Sequence, residues 1–178
     1  NQGDDTILVQ DLAGFGGSTI FGGSGNDTVN ANGSLLDNLI VETNDGSDSV
    51  VTGTGNDTIT SSAGNDTING AAGNNSVTTD GGNTNITTDG GNDTVAVGNG
   101  NDSVNAGNGT NTITAVSGAN TLTGGTGVDN ITGGGGADTI TGGGVADVLS
   151  GGLGTDQFVQ TAGATAAATA GTAFTAAN

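Results

Sequence analysis

Residues 124–159, cut into nines, read GGTGVDNIT, GGGGADTIT, GGGVADVLS and GGLGTDQFV. Each block follows the pattern G-G-x-G-x-D-x-U-x, where U is a large apolar residue, except that Val145 replaces the glycine at position 4 of the third block. Glycine at positions 1, 2 and 4 allows backbone angles closed to other residues and lets successive turns stack closely. The last three residues, x-U-x, form a short strand, in which U faces one way and its neighbours the other. A repeat this short cannot bury its apolar residue alone, so it has to stack on copies of itself.

Working outward on position 6 (Asp) and position 8 (U), the pattern reaches nearly both ends. A partial first block ends in Asp5-Thr6-Ile7-Leu8, and Val9 to Leu12 interrupt. Blocks then begin at Ala13 and Gly22, and two more, residues 32–40 and 43–51, are offset by one and two extra residues. From Thr52 the nonapeptides run without a gap to Val159. The U positions read Ile7, Ile20, Val29, Leu39, Val50, Ile59, Ile68, Val77, Ile86, Val95, Val104, Ile113, Leu122, Ile131, Ile140, Leu149 and Phe158. All are large and apolar in a chain whose hydrophobic fraction is 31% with alanine included, so the repeat is the architecture. Glycine every few residues and the lack of a 3.6-residue period exclude helices.

The expected fold is therefore all-β: a right-handed parallel β-roll or β-solenoid of GGxGxDxUx repeats. Two nonapeptides make one coil, giving about eight coils spaced about 4.8 Å apart. Three segments are expected: residues 1–12 as a partial repeat with an insertion, 13–159 as the roll, and 160–178 as an Ala/Thr-rich tail or cap. Phe158, larger than the other U residues, suits the end of a narrow core.

Composition narrows the chemistry. Eighteen acidic residues stand against no lysine or arginine, a formal charge of −18, so the carboxylates have no cationic side chain to pair with. Folding crowds them together, and that opposes the compact state unless cations bind. Nucleic acid is excluded as a partner for want of lysine and arginine. No apolar run approaches a membrane span, so direct membrane insertion is not expected. The chain also lacks histidine, cysteine and tyrosine, which removes the usual bases, nucleophiles and anion clamps, and no enzyme activity is expected.

Position 6 carries Asp5, Asp27, Asp37, Asp48, Asp57, Asp66, Asp93, Asp102, Asp129, Asp138, Asp147 and Asp156, with Ser18, Asn75, Thr84, Asn111 and Asn120 as exceptions. Calcium takes six to eight hard oxygen ligands, mixing carboxylates with carbonyls, and a glycine turn ending in Asp offers both. With two blocks per coil, Asp129 stacks on Asp147 and Asp138 on Asp156. In the middle, Asp57, Asn75, Asp93 and Asn111 alternate on one side, and Asp66, Thr84, Asp102 and Asn120 on the other. Asn is expected to keep an oxygen ligand without charge and Thr a weaker one. Strong sites are thus expected at the C-terminal end, and weaker or absent ones in the middle.

The chain resembles the RTX (repeats-in-toxin) calcium-binding β-roll family, on the strength of the four near-perfect motifs at 124–159 and the looser match back to Ala13. That family is secreted by bacterial type I systems and folds outside the cell on meeting calcium, held between stacked turns by position-6 Asp and turn carbonyls. The resemblance implies calcium ligands from Gly124, Thr126 and Gly143 with Asp129 and Asp147. On the other side it implies Gly133, Gly135, Gly152 and Gly154 with Asp138 and Asp156. It further implies a secreted, extracellular or cell-surface location.

The functional expectation is a calcium-dependent structural protein of a bacterial surface layer, matrix or filament, with self-association. One alternative is the C-terminal secretion and folding module of a larger type I-secreted enzyme or adhesin. Another is an ice-binding β-solenoid, because the outward strand positions form threonine ladders. Ala96, Asn85, Val148 and Gln157 interrupt those ladders, and strand propensity alone favours threonine there.

Overall fold

A computed structural model describes residues 2–10, 17–32, 38–144, 146–159 and 167–169. Every regular element among them is a β-strand. In chain order these are β1 (Thr6–Leu8), β2 (Ser18–Phe21), β3 (Thr28–Asn30), β4 (Leu39–Thr43), β5 (Ser49–Val51), β6 (Thr58–Ala63), β7 (Thr67–Asn69), β8 (Ser76–Gly81) and β9 (Asn85–Thr87). There follow β10 (Thr94–Asn99), β11 (Ser103–Asn105), β12 (Thr112–Ser117), β13 (Thr121–Gly125), β14 (Asn130–Thr132), β15 (Thr139–Gly143), β16 (Val148–Ser150), β17 (Gln157–Val159) and β18 (Ala167–Thr169).

Odd strands form one nine-stranded sheet and even strands the other, and every pairing is parallel between a strand and the next but one. The protein is a parallel β-solenoid with two nonapeptides per coil. From β4 and β5 onward, partners up to β17 lie eighteen residues apart, as in Val95 with Ile113 and Ile113 with Ile131. Backbone bonds also continue through the turns, as from Thr121 N–H to the Asp102 carbonyl at 2.8 Å.

The apolar U residues stack as two internal columns. Val50, Ile59, Ile86, Ile113, Leu122, Ile131 and Ile140 are all fully buried. Position 1 of the block points inward as well: Thr43, Thr52, Ser61, Thr79, Thr88, Val97, Ala106 and Ala115 are buried. The core is thus wider than the U columns alone, and its second layer is made of small residues.

The register differs from the sequence reading at one place. Val41, not Leu39, holds the U position, paired with Ile20 on one side and Ile59 on the other. Leu39 stands at position 6, and its N–H donates to Asp57 Oδ1 at 2.8 Å. Because Val41 lies nine residues before Val50, the unbroken run of nonapeptides starts in this block, upstream of Thr52, and the extra residues all fall between Val29 and Val41. The alternation of β4 buries Leu39, Val41 and Thr43 alike, so hydrophobicity does not separate the two registers. Asp37, the position-6 residue expected for this block, lies outside the described residues, as does Val145.

Of the tail, residues 160–166 and 170–178 also lie outside the described residues, but β18 adds a strand to the end of one sheet, with Ala168 opposite Leu149. Phe158 is buried at the outer end of the other column, opposite Ile140.

Truncating Ile113 to alanine should remove stability at mid-roll. Urea unfolding in calcium is expected to show a loss of about 2–5 kcal/mol for Ile113→Ala. The outward Thr112→Ala should stay within about 0.5 kcal/mol.

Candidate metal centre

The position-6 side chains fall in two columns, one beside each sheet, at the junction of glycine turn and strand. Asp27, Asp48, Asp57, Asp66, Asp93, Asp102, Asp129, Asp138, Asp147 and Asp156 are each at most 2% exposed. One carboxylate oxygen, Oδ1, is committed to the stacking, because it accepts the position-6 N–H of the preceding coil. Asp129 N–H donates to Asp147 Oδ1 and Asp138 N–H to Asp156 Oδ1, both at 3.0 Å. The same bond runs from Asp27 to Asp48 and from Asp48 to Asp66.

The second oxygen has no such bond. Oδ2 of Asp27, Asp48, Asp57, Asp93, Asp102, Asp129, Asp138, Asp147 and Asp156 is buried without a hydrogen-bond donor. Asp66 differs, because the Ser61 hydroxyl donates to its Oδ2 at 2.6 Å. A buried carboxylate oxygen lacking any donor is costly, and a charged one more so.

The surroundings of Oδ2 are themselves oxygen. It folds over the position-1 residue of its own block, and a Cβ at Gly124, Gly133, Gly142 or Gly151 would collide with Oδ2 of Asp129, Asp138, Asp147 or Asp156. A Cβ at Gly133 would also meet the Gly151 carbonyl oxygen of the next coil. Carbonyls at positions 2 and 4 point into the gap between stacked turns. At Gly136 (φ +126°) a side chain would land on the Gly118 carbonyl oxygen, so both the backbone angle and the space require glycine.

Among the described residues no three acidic, histidine or cysteine side chains come together as a cluster. The donor set between turns is therefore carbonyl-rich, with one or two carboxylates. That suits a hard, flexible cation such as Ca2+ and not a soft-ligand metal. The residues that could hold it are the Asp Oδ2 atoms with the carbonyls of positions 1, 2 and 4.

Electrostatics agree. Burial pushes the carboxyls of Asp48, Asp57, Asp93, Asp102, Asp129 and Asp138 above the ordinary Asp value, and the N–H bonds to Oδ1 offset part of this. Asp147 raises Asp129 further and Asp156 raises Asp138, by like-charge repulsion. The Thr52 and Thr88 hydroxyls soften the shift at Asp57 and Asp93 without closing a bond to Oδ2.

Several carbonyls expected as ligands have other duties. Those of Thr126 and Gly135 accept ladder bonds from Gly109 and Gly118 at 2.8 and 2.6 Å. Gly124 and Gly133 carbonyls point toward the coil before, where they accept from Asn111 and Asn120 at 3.3 and 3.2 Å. Gly143, Gly152 and Gly154 sit at positions 2 and 4 of their turns, at positive φ. Gly125, Gly127, Gly134 and Gly136, not named from the sequence, hold the same positions one coil earlier, and their carbonyl oxygens face the next coil, although that of Gly134 also accepts Leu153 N–H at 2.7 Å.

Asparagine also behaves otherwise than expected. Oδ1 of Asn75, Asn111 and Asn120 is taken by the N–H of Asp57, Asp93 and Asp102, so the group facing the turn is the amide nitrogen and not an oxygen ligand. A second ladder runs outside at position 5, in the opposite sense. Asn38 Oδ1 accepts Asn56 N–H, Asn56 accepts Asn74 and Asn74 accepts Asn92, at 2.7–2.8 Å. The recurrent Asn directly before position 6 is its visible signal in the sequence. Asp4, without a role in the sequence reading, begins such a ladder by accepting Asn26 N–H.

A family model described as the RTX calcium-binding nonapeptide repeat (4 copies) matches residues 12–34, 42–77, 78–113, 114–149 and 123–158. The chain belongs to this family. The stretch of this RTX roll that no match covers, 35–41, falls at the register shift before Val41. The family's nonapeptides are calcium-binding motifs, in accord with the oxygen-lined turns. No curated protein and no solved structure matches the chain.

Because the folded carboxyls have raised pKa values, the metal-free roll binds more protons than the unfolded chain between the unfolded Asp value, 3.8, and the folded ones. Its stability in chelator should therefore rise as pH falls from neutral into that window. Calcium affinity should fall over the same range, since protons compete for the carboxylates. Circular dichroism in chelator across this range checks the sign, and stability that increases with pH would contradict it.

Proposed function

We propose that this RTX roll is a calcium-dependent extracellular structural protein of a bacterial surface layer, matrix or filament. The observation that carries this reading is the double column of buried Asp Oδ2 atoms without donors, in a chain with no lysine or arginine. Calcium between stacked turns supplies the missing counter-charge, and its binding free energy becomes folding free energy. In the C-terminal part, Asp129, Asp138, Asp147 and Asp156 hold the ions with turn carbonyls. Further back, Asp57, Asp93 and Asp102 contribute single carboxylates, Asp27 stacks directly on Asp48 and Asp48 on Asp66, and Asp66 contributes with its Oδ2 already holding the Ser61 hydroxyl.

A structural role is supported by the repeat filling nearly all of the described chain, with no base or nucleophile set apart from it. Among the described residues no helix is long and apolar enough to cross a membrane. In this reading residues 13–159 act as the roll, 1–12 as a partial first repeat with an insertion and 160–178 as a tail or cap. A module carried on a larger exported enzyme or adhesin would use the same calcium-driven folding.

At neutral pH chelation should abolish the β signal in circular dichroism and calcium should restore it, with electron microscopy then showing sheets or filaments. A spectrum indifferent to chelator sinks the calcium requirement, and persistently monomeric particles sink the assembly. Position 1 next to Asp138 and Asp156 is glycine, whereas Asp57 and Asp93 have threonine hydroxyls beside them. Replacing Asp138 and Asp156 together by alanine should therefore raise the calcium midpoint of folding more than replacing Asp57 and Asp93. Equal shifts would mean that the C-terminal end is not special.

A further inference from the structure

The position-6 asparagines sit in the same turn geometry as the aspartates yet leave nothing unsatisfied. Asn75 Oδ1 accepts Asp57 N–H at 2.9 Å, doing the work of an Asp Oδ1. Its Nδ2, in the place of the second carboxylate oxygen, donates to the carbonyls of Gly70, Ala71 and Gly73 at 3.1, 3.4 and 3.2 Å. These are positions 1, 2 and 4 of its own turn. Asn120 Nδ2 reaches Gly118 and Gly133 carbonyls at 3.4 and 3.2 Å, and Asn111 Nδ2 reaches Gly124 at 3.3 Å. Gly118 is position 4 of the same turn, while Gly124 and Gly133 are position 1 of the coil above.

An amide NH2 carries two donor hydrogens and a partial positive charge, so it can satisfy two or three converging carbonyls. A carboxylate at that point adds a further acceptor to a group of acceptors and has to recruit a cation.

We propose that the amides of Asn75, Asn111 and Asn120 stand in for the cation, closing their turns as permanent metal-free levels between calcium-bearing ones. The proposal rests on calcium binding to the Asp turns, as set out above. It assigns a function to the alternation along the roll: Asn75 lies between Asp57 and Asp93, Asn111 between Asp93 and Asp129, and Asn120 between Asp102 and Asp138. Neutral amide levels separate charged ones, so ions on one side of the middle roll do not crowd. Calcium capacity is then written in the Asp/Asn choice at position 6 and not in the number of repeats.

The test counts calcium ions per folded chain by native mass spectrometry on the full chain, with circular dichroism to confirm the fold. Asn75→Asp and, separately, Asn120→Asp should each bind one more ion than wild type and should need more calcium to fold. Asp129→Asn should bind one fewer and still fold. Unchanged ion counts in both Asn→Asp variants would overturn the proposal, as would failure of both to fold at saturating calcium. Wild type binding no calcium would instead defeat the underlying calcium reading, whatever the variants do.

Discussion

Everything in this roll depends on how a buried carboxylate oxygen is satisfied among carbonyl oxygens. The parallel stacking that completes the backbone ladder also brings turn over turn, with the carbonyls of positions 2 and 4 aimed at the next level. Aspartate at position 6 ties each coil to its neighbour through Oδ1, but that bond draws Oδ2 into the same crowded gap. No side chain of opposite charge exists to relieve it. The structure shows two devices, a hydroxyl donor, as Ser61 gives Asp66, and an amide in place of the carboxylate, as at Asn75; the remaining Oδ2 atoms are left for the proposed calcium.

These devices are distributed along the axis. Position-5 asparagines stitch the N-terminal and middle coils from outside as far as Asn101, whose Oδ1 accepts Ala119 N–H. From residue 124 on, position 5 holds Val128, Ala137, Ala146 and Thr155, position 1 is glycine, and position 6 is uninterrupted Asp. Stability is thus expected to shift along the chain from side-chain hydrogen bonding toward ion binding. In an array whose repeats contact only their neighbours, such a gradient sets where folding begins.

Most of the fold was legible in the sequence, because a nine-residue period with an apolar eighth position admits one parallel stacking. What stayed hidden had physical causes. Leu39 and Val41 are both apolar and both buried, so only the ladder bonds of Asn38 and Leu39 fix their register. The inward turn of position 1 was masked by its mixture of Thr, Ser, Val, Ala and Gly, which has no hydropathy signature. The choice of Asp at position 6 pointed to the site. The role of Asn could not be read from composition, since which amide atom faces the turn is decided by a bond from the coil before. The tail carries no motif, yet Ala167–Thr169 joins the ladder, where backbone pairing asks little of side chains.

The most direct test is a crystal structure of the full chain grown in calcium, with anomalous scattering used to place the ions. The account predicts peaks between stacked turns, about 2.3–2.6 Å from Oδ2 of Asp129 and Asp138, and none beside Nδ2 of Asn75. A folded roll with no calcium at those aspartates would contradict it.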